Sequence, residues 1–494
     1  MDKKKLIIIG GGISGLAAGI YAQESGFTSI IMEAQHNAGG NCTGWSRKGY
    51  FFEGGMHWLN GSSGDSTIHR FWRETKALND ESKIYIKDPF LSCDYYGTKI
   101  HAYRNVDRFE NQLFELFPEE VYQIKKLCAS IRHFKKLRPP MLDVPGVKVR
   151  NNNPLTVKMI IKLIPFALPL FFLSRLKFDT YLRRFKHPAI KLLLSNVVRP
   201  GYSTLSFLFI ISCFMDNDGG YVEGGSVRMV QNMARYYAEL GGELQYGCKA
   251  EKLIVDRESG LKAAGVIANG KSIPADAVIL AFDLQNAVET FFDDPISESW
   301  MDRLWKKPNL IITYFVCVGV KADLSGLPET EVFPVEPFEF AGERIETLGV
   351  YNYAQIPAYA PPGCSALTIR IQTDSCEFWK AMKEQGLYYQ KKEELFTMVR
   401  ERLEKQYSII RGNIDVWDLA TPLTYERYCG SWRGCWMTIS PTGDSRSYPS
   451  KSRSIKGLYF AGHRMMPPGG MPCALITGRR AVQYLCRDLH MQFG

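Results

Sequence analysis

Apolar runs alternate with a stretch of helical spacing at the start of the chain. Residues 6–9 are apolar throughout, which is typical of a strand buried on both faces of a parallel sheet. Residues 14–25 then have the apolar spacing of a helix, and residues 28–32 form a second strand-like run. This strand–helix–strand order predicts an α/β fold that contains a Rossmann-type sheet.

A glycine-rich turn joins the first predicted strand to the helix. Gly10, Gly12 and Gly15 have the G-x-G-x-x-G spacing of dinucleotide-binding proteins. The first glycine permits a tight bend, the second lets a pyrophosphate approach the backbone, and the third lets the helix pack closely on the strand. Ile13 and Ser14 begin the helix, so we expect their backbone N–H groups to face phosphate. The alternative is a glycine turn that binds no nucleotide.

An acidic residue ends the second predicted strand. Glu33, followed by Ala34, stands where a carboxylate accepts hydrogen bonds from a ribose hydroxyl. The same carboxylate would repel a 2′-phosphate, so the pattern predicts FAD or NAD and excludes NADP. The sequence has a single fingerprint of this kind and no second domain for a nicotinamide, which favours FAD.

The α/β pattern stops near residue 84 and resumes at Gly219. Between them, the apolar spacing of residues 109–134 predicts a helix that breaks at Pro118. The other predicted elements are short strands at 84–86 and 94–96, a helix ending near 240, strands at 248–255, 263–267, 272–281, 310–320, 366–373 and 457–462, and helices at 389–406 and 472–488.

The length of 494 residues exceeds what one hydrophobic core usually holds, so we predict two domains. Residues 1–83, 219–290 and 455–494 are predicted to form one discontinuous FAD-binding domain. Residues 84–218 and 291–454 are predicted to form an α+β substrate domain with an antiparallel sheet and a helical cap.

Cysteine spacing argues against metal and disulfide chemistry. The chain has 12 cysteines but no C-x-x-C and no Cys/His pair at the spacing of zinc ligands, so we predict no metal site. Reduced thiols and the lack of a secretory signal before the first strand predict a cytoplasmic protein.

The net charge of +10 suggests an anionic partner, and much of it lies around one apolar segment. Residues 163–173 are apolar, too few to span a bilayer, and we expect Pro165 and Pro169 to break them. Because Lys and Arg surround this run, residues 158–191 predict a peripheral contact with an anionic membrane. The alternative is a buried cap helix whose lysines reach solvent. Nucleic acid is disfavoured, since the basic residues flank aliphatic side chains.

Two short motifs follow Glu33. A Gly-Gly pair at Gly39 and Gly40 precedes the G-Y-x-F-acid-x-G-x-H segment that ends at His57. Together with the fingerprint, they resemble the phytoene desaturase, carotenoid isomerase and retinol saturase family of flavoproteins. The resemblance implies a non-covalent FAD and a position for His57 close to the flavin ring, where it shapes or protonates the site. The alternative is a structural histidine hydrogen-bonded to the backbone.

Further cofactor contacts are expected on both sides of the pyrophosphate. Gly39 and Gly40 would let a second stretch of backbone approach it, and Arg47 either neutralises it or lies at the surface. Asn41 stands where many relatives carry arginine. The resemblance also implies a backbone contact from Ala250 to the adenine.

The C-terminal segment is expected to close the cofactor site. A strand ends at Gly462, and His463 stands where many flavoproteins carry aspartate. The helix that follows begins at Gly470 and Met471, and its positive end would stabilise negative charge. The resemblance implies that this negative charge lies on the N1/O2 edge of the flavin, where it accumulates when the flavin is reduced.

These observations predict an FAD-dependent oxidoreductase that acts on a long apolar substrate, such as a polyene, a retinoid-like isoprenoid or another lipid. The resemblance implies hydride transfer to or from flavin N5 in desaturation, saturation or isomerisation. The alternatives are an amine oxidase-like flavoenzyme and a non-catalytic flavin- or lipid-binding protein.

Overall fold

A five-stranded parallel sheet carries the glycine-rich turn. Its strand order is β10-β2-β1-β14-β21, and every neighbouring pair is parallel. The strands are β1 (Lys5–Ile9), β2 (Thr28–Met32), β10 (Glu243–Gln245), β14 (Ala277–Leu280) and β21 (Leu458–Phe460). The computed structural model describes residues 3–150, 157–198, 201–258, 260–293, 298–306, 310–438 and 446–494.

Both faces of this sheet are covered, as its apolar strands predict. Leu6 and Ile8 pack in one core with a layer of three helices, and Ile7 and Ile9 pack in another with a small antiparallel sheet. The helices are α1 (Ile13–Glu24), α9 (Gly225–Glu239) and α15 (Met471–Asp488), and the small sheet consists of β11 (Ala250–Asp256), β12 (Lys262–Ala268) and β13 (Lys271–Pro274). Strands from three separate parts of the chain therefore build one Rossmann-type domain.

A second sheet of eight strands lies in the other half of the molecule. Its order is β19-β15-β18-β17-β16-β6-β7, and β20 pairs with the remaining part of β15. Its strands are β6 (Leu91–Tyr95), β7 (Thr98–Ala102), β15 (Leu310–Val320), β16 (Thr330–Phe340), β17 (Glu343–Asn352), β18 (Ser365–Thr373), β19 (Ile414–Ala420) and β20 (Cys435–Thr438).

The prediction of an antiparallel sheet is correct except at one pair. β6 and β16 are parallel, so the sheet is mixed. No hairpin joins these two strands, because β6 comes from the first half of the chain, and therefore nothing local fixes their relative direction.

The β16–β17 hairpin is absent from the prediction. Pro334 and Pro337 lie within β16 and argue against a strand. The structure accommodates them at a register irregularity between Pro334 and Phe338. The hairpin turns at Ala341 and Gly342, whose φ angles of 53° and 79° suit a tight two-residue turn.

A group of helices caps the second sheet. They are α3 (Val106–Leu116), α4 (Val121–Phe134), α5 (Val157–Arg175), α6 (Phe178–Leu182), α7 (Pro188–Val197) and α8 (Thr204–Met215). The break at Pro118 is confirmed, since a short 3₁₀ turn separates α3 from α4. The break at Pro165 and Pro169 is wrong, because α5 runs through both prolines. Phe166 holds this helix in place by packing on Phe134 in the cap core.

Shorter elements connect these layers. They are β3 (Gly44–Arg47), β4 (Tyr50–Glu53), α2 (Thr67–Glu74), β5 (Ile84–Tyr85), β8 (Lys148–Val149), β9 (Tyr221–Val222), α10 (Leu284–Thr290), α11 (Met301–Lys306), α12 (Cys376–Glu384), α13 (Tyr388–Gln406), α14 (Pro422–Cys429) and β22 (Gln492–Phe493). Within the described ranges, no helix combines the length and the apolar character that crossing a bilayer requires.

Candidate active site

A cavity of about 870 Å³ lies between the parallel sheet, the mixed sheet and the cap. The glycine turn, the end of β2, the start of α15 and the inner side of the cap all contribute to its wall. The predicted site residues that line it are Gly10, Gly12, Ile13, Ser14, Glu33, Ala34, Gly39, Gly40, Asn41, His57, Ala250, Gly462, His463, Gly470 and Met471.

The three fingerprint glycines have different surroundings. Gly10 has a φ of 104°, and a Cβ there would lie 2.9 Å from Ala281 O. A Cβ on Gly15 would lie 1.9 Å from Gly10 O, so Gly15 serves close packing and does not line the cavity. A Cβ on Gly12 would meet no atom of the described residues closer than Gly39 O at 3.6 Å. The space in front of Gly12 is therefore free for a ligand.

The Glu33 carboxylate is held beside this turn. Its Oε2 accepts a hydrogen bond from Gly11 N–H at 2.7 Å, and its Oε1 accepts one from Gln35 N–H at 2.8 Å. Each oxygen has a further lone pair, so the carboxylate can also accept hydrogen bonds from ribose hydroxyls.

The Gly-Gly pair places a second stretch of backbone against the turn. Gly39 N–H donates to Gly11 O at 3.0 Å, and a Cβ on Gly40 would lie 3.7 Å from Gly12 Cα. Asn41 uses its side chain within the protein, since Nδ2 donates to Trp436 O at 3.1 Å. Asn41 therefore positions this loop and does not replace the missing arginine.

The predicted cofactor contact of Arg47 is wrong. The β3–β4 hairpin directs Arg47 away from the cavity, and its guanidinium pairs with Asp418 on β19 at 3.0 Å. The side chain is 52% exposed, so the alternative of a surface arginine is correct. No local pattern indicates Asp418 as the partner, because the two residues are far apart in the chain.

The N-terminus of α15 points at the cavity. Gly469 and Gly470 have φ angles of 85° and 87°, which direct the chain into the helix, and Pro472 stands in the first turn. No side chain of the described residues caps this end. The free N–H groups and the positive end of the helix dipole therefore stabilise negative charge in the cavity.

His57 lies in the cavity wall within a group of aromatic rings. Its Nδ1 and the Tyr353 hydroxyl form a hydrogen bond of 2.7 Å, and its ring stacks on Tyr351 at 4.1 Å between centroids. Its Nε2 is enclosed and has no partner among the described residues. Burial lowers the pKa of His57 well below its ordinary value, and the charges of Arg370 and Lys87 lower it further. The imidazole is therefore neutral, and the hydrogen-bonding capacity of Nε2 is unused within the described residues.

Two of the residues around His57 were not predicted from the sequence. Tyr353 follows β17, and Arg370 lies on β18 and lines the cavity. The one available signal was an arginine within the apolar run of residues 365–373. Its position beside His57 depends on strand pairing between distant segments, which the sequence pattern does not reveal.

His463 is a second neutral histidine in the wall. Burial lowers its pKa to about 4, with a smaller contribution from the neighbouring Arg464. Arg464 itself is paired with Asp283 at 2.5 Å and donates to Gln285 at 2.8 Å. His463 Nε2 is enclosed without a partner in the described part of the chain. This position therefore presents a neutral hydrogen-bonding group in place of a carboxylate.

We expect acid to destabilise the protein through His463. Between pH 6.5 and about 4 the unfolded chain binds a proton at this position that the native side chain does not, so stability decreases as the pH falls. The loss is at most about 1.4 kcal/mol per pH unit. Urea unfolding of the wild type between pH 6.5 and 5.5 should therefore show a steeper loss than His463→Gln. Equal losses in the two proteins would contradict the assignment.

Comparison with known proteins identifies the family. The family model described as flavin-containing amine oxidoreductase matches residues 13–486. The chain belongs to this family. Its fold agrees, since wild-type putrescine oxidase bound to putrescine aligns with a TM-score of 0.62 at 15% identity, over 99% of each chain. Cyclohexylamine oxidase from Brevibacterium oxydans IH-35A aligns with a TM-score of 0.62 at 16% identity, over 99% of this chain and 100% of that one.

Relatives in sequence include carotenoid enzymes. The lycopene-forming phytoene desaturase of Pseudescherichia vulneris is 22% identical over 98% of this chain and 100% of its own length. The 1-hydroxycarotenoid 3,4-desaturase of Flavobacterium sp. (strain P99-3) is 23% identical over 96% and 98%. The chloroplastic prolycopene isomerase of Daucus carota is 23% identical over 98% and 80%. These matches confirm the resemblance to desaturases and isomerases.

This member of the flavin-containing amine oxidoreductases is a flavin-dependent oxidoreductase, and FAD is its cofactor. The residues present fit a dinucleotide on three observations. The space before Gly12 is open, the Glu33 carboxylate stands beside it, and the uncapped end of α15 faces the same cavity.

Proposed function

We propose that the protein acts on carbon–carbon bonds of a long apolar substrate, a polyene or another isoprenoid, by hydride transfer. The cavity wall carries this proposal. The cap contributes apolar side chains to the same cavity that holds the cofactor residues, namely Leu137 and Met141 from the segment between α4 and α5, and Phe209 and Ile210 from α8. The names of the carotenoid desaturases and isomerases among the relatives support the same substrate class.

Bound FAD supplies a hydride acceptor or, when reduced, a hydride donor. The protein aligns the substrate and excludes water with the cap, which accounts for much of the rate when the reacting carbon needs little acid–base help. His57 is neutral, so its Nε2 can accept a proton from the substrate when Nδ1–H faces Tyr353. This geometry favours proton removal over the proton delivery that saturation needs.

Amine oxidation is the second candidate, and the solved putrescine and cyclohexylamine oxidases favour it by fold. The charges next to His57 oppose it. Arg370 lines the cavity there, and the surrounding rings of Tyr351 and Trp436 carry no negative charge. A protonated amine would meet a like charge at this point.

The substrate class can be tested by extraction. Mass spectrometry of the organic extract of the purified protein should detect a bound isoprenoid or polyene in near-stoichiometric amount. An extract without any apolar ligand, together with amine-dependent changes in the flavin spectrum, would favour the second candidate.

We also propose that α5 attaches the protein to anionic membranes. Ile164, Leu168 and Phe172 form a stripe along the helix and are 64%, 69% and 63% exposed. The opposite side of α5 packs on the cap through Phe166, so the alternative of a buried cap helix explains only the inner side. The basic residues that neighbour this stripe in the sequence are Lys162, Arg175, Lys177, Arg183, Arg184 and Lys186, and their charge suits anionic headgroups. The predicted membrane-contact segment also includes Lys158, whose side chain lies outside the described part of the structure.

Vesicle co-sedimentation tests this attachment. We expect wild-type protein to sediment with vesicles that contain phosphatidylserine, and to do so less as salt is raised. The double variant Ile164→Glu/Leu168→Glu should bind at least about tenfold less, because two apolar side chains no longer enter the lipid. The matched control is Tyr389→Glu, whose side chain is 79% exposed on α13. Binding that is indifferent to anionic lipid and to salt would contradict the proposal.

A further inference from the structure

Arg370 is a cation in a largely aromatic part of the cavity wall. It lies on β18, and its guanidinium carbon is 4.7 Å from the centre of the Tyr351 ring and 5.1 Å from that of Trp436. His57 stacks on the same Tyr351 ring. The positive charge is therefore placed directly beside the proposed reaction site.

The hydrogen-bonding capacity of Arg370 is largely unused. Its Nη2 donates to the Tyr351 hydroxyl, and its Nε is enclosed without a partner. Within the described ranges, no carboxylate pairs with it. By contrast, Arg464 in the same cavity wall is paired with Asp283. Arg370 is only partly exposed, and a partly desolvated charge is stabilised by a counter-charge or by further hydrogen bonds.

Comparison with Arg104 shows that Arg370, within the described residues, lacks the backbone hydrogen bonds of a structural arginine. The buried Arg104 donates to four backbone carbonyl groups, at distances from 2.6 to 3.4 Å. Those bonds hold a loop of the cap. Arg370 holds nothing comparable, since its one donated bond goes to a side chain that also stacks on His57.

We infer that Arg370 binds a carboxylate at one end of the apolar substrate. This inference rests on the proposed function and adds the chemical class of the substrate end. A guanidinium presents two parallel N–H groups, which a carboxylate accepts in a bidentate arrangement. The apolar body of the same molecule would then lie along Phe209 and Ile210 of the cap. An anionic group on the cofactor is the other source of a counter-charge, and the test separates the two.

The test uses the FAD-loaded protein and three probes of equal length. They are all-trans-retinoate, all-trans-retinol and the parent hydrocarbon with a methyl group in place of the carboxylate. Binding is followed by the change in the flavin absorption spectrum. We expect wild-type protein to prefer the carboxylate by roughly 10- to 100-fold, as for a hydrogen bond to a charged group. Arg370→Met should lose this preference and keep its affinity for the hydrocarbon, and Arg370→Lys should retain part of it.

Each other outcome has a definite meaning. Equal wild-type affinity for all three probes would overturn the inference and leave the proposed function standing. Unchanged selectivity in Arg370→Met, with a shift only in the flavin midpoint potential, would assign the charge to the cofactor and also overturn it. Failure of every probe to bind would contradict the proposed function itself, and the inference with it.

Discussion

Gly12→Val abolishes FAD binding while the protein stays folded. Within the described part of the chain, a Cβ on Gly12 would meet no atom closer than Gly39 O at 3.6 Å, so the added side chain enters the space that the pyrophosphate needs. We expect a loss of affinity of more than about 100-fold, and purified protein without flavin absorbance. Titration of the apoprotein with FAD, followed by flavin fluorescence, measures the effect.

Two further glycine variants show whether this effect is specific. Gly326→Val is the matched control, because a Cβ on Gly326 would meet no heavy atom of the described residues within 4 Å, and this variant should bind FAD normally. Gly15→Val should instead reduce the yield of folded protein, since its Cβ would lie 1.9 Å from Gly10 O. A Gly12→Val protein that binds FAD as tightly as the wild type would remove the cofactor from this turn.

His57→Ala retains FAD and slows reduction of the flavin by substrate. His57 Nε2 is enclosed in the cavity wall without a partner among the described residues, and the lowered pKa keeps the ring neutral. General base help is typically worth ~10² to 10⁴ in rate, so we expect a decrease within that range. Anaerobic stopped-flow absorbance under single-turnover conditions measures it.

The hydrogen bond between His57 Nδ1 and the Tyr353 hydroxyl provides the control for His57. Tyr353→Phe removes the hydrogen-bond partner of His57 Nδ1 and keeps the stacking of His57 on Tyr351. We therefore expect a smaller decrease in the rate of flavin reduction, of about tenfold. The wild-type rate should show no inflection near pH 6.5, because the pKa of His57 is lowered well below that value. Unchanged single-turnover rates in His57→Ala would assign this residue a structural role only.

The cofactor half of the site was predictable because its determinants are local. Gly10, Gly12 and Gly15 act within a single turn, and Glu33 follows one strand later in the same βαβ unit. The apolar run of β1 also predicts burial on both faces, as the two cores around it show. Each of these inferences needs only spacing along a short segment.

The substrate half was less predictable because its determinants are distant contacts. Arg370 and Tyr353 reach His57 through the pairing of β15, β17 and β18, which no short motif encodes. Arg47 depends on Asp418 in the same way. In α5, packing of Phe166 on the cap outweighs the local effect of Pro165 and Pro169, so the rule that prolines end helices led to the wrong result.

We propose that this flavoenzyme acts on carbon–carbon bonds of an apolar polyene and not on amines. Anaerobic mixing of the FAD-loaded protein with a panel of polyenes, phytoene among them, and separately with putrescine tests it most directly. We expect that a polyene bleaches the flavin absorbance and yields a product lighter by one H₂, or that the reduced enzyme isomerises a polyene without change of mass. Bleaching of the flavin by the amine would contradict this proposal if no polyene bleaches the flavin and no polyene is isomerised.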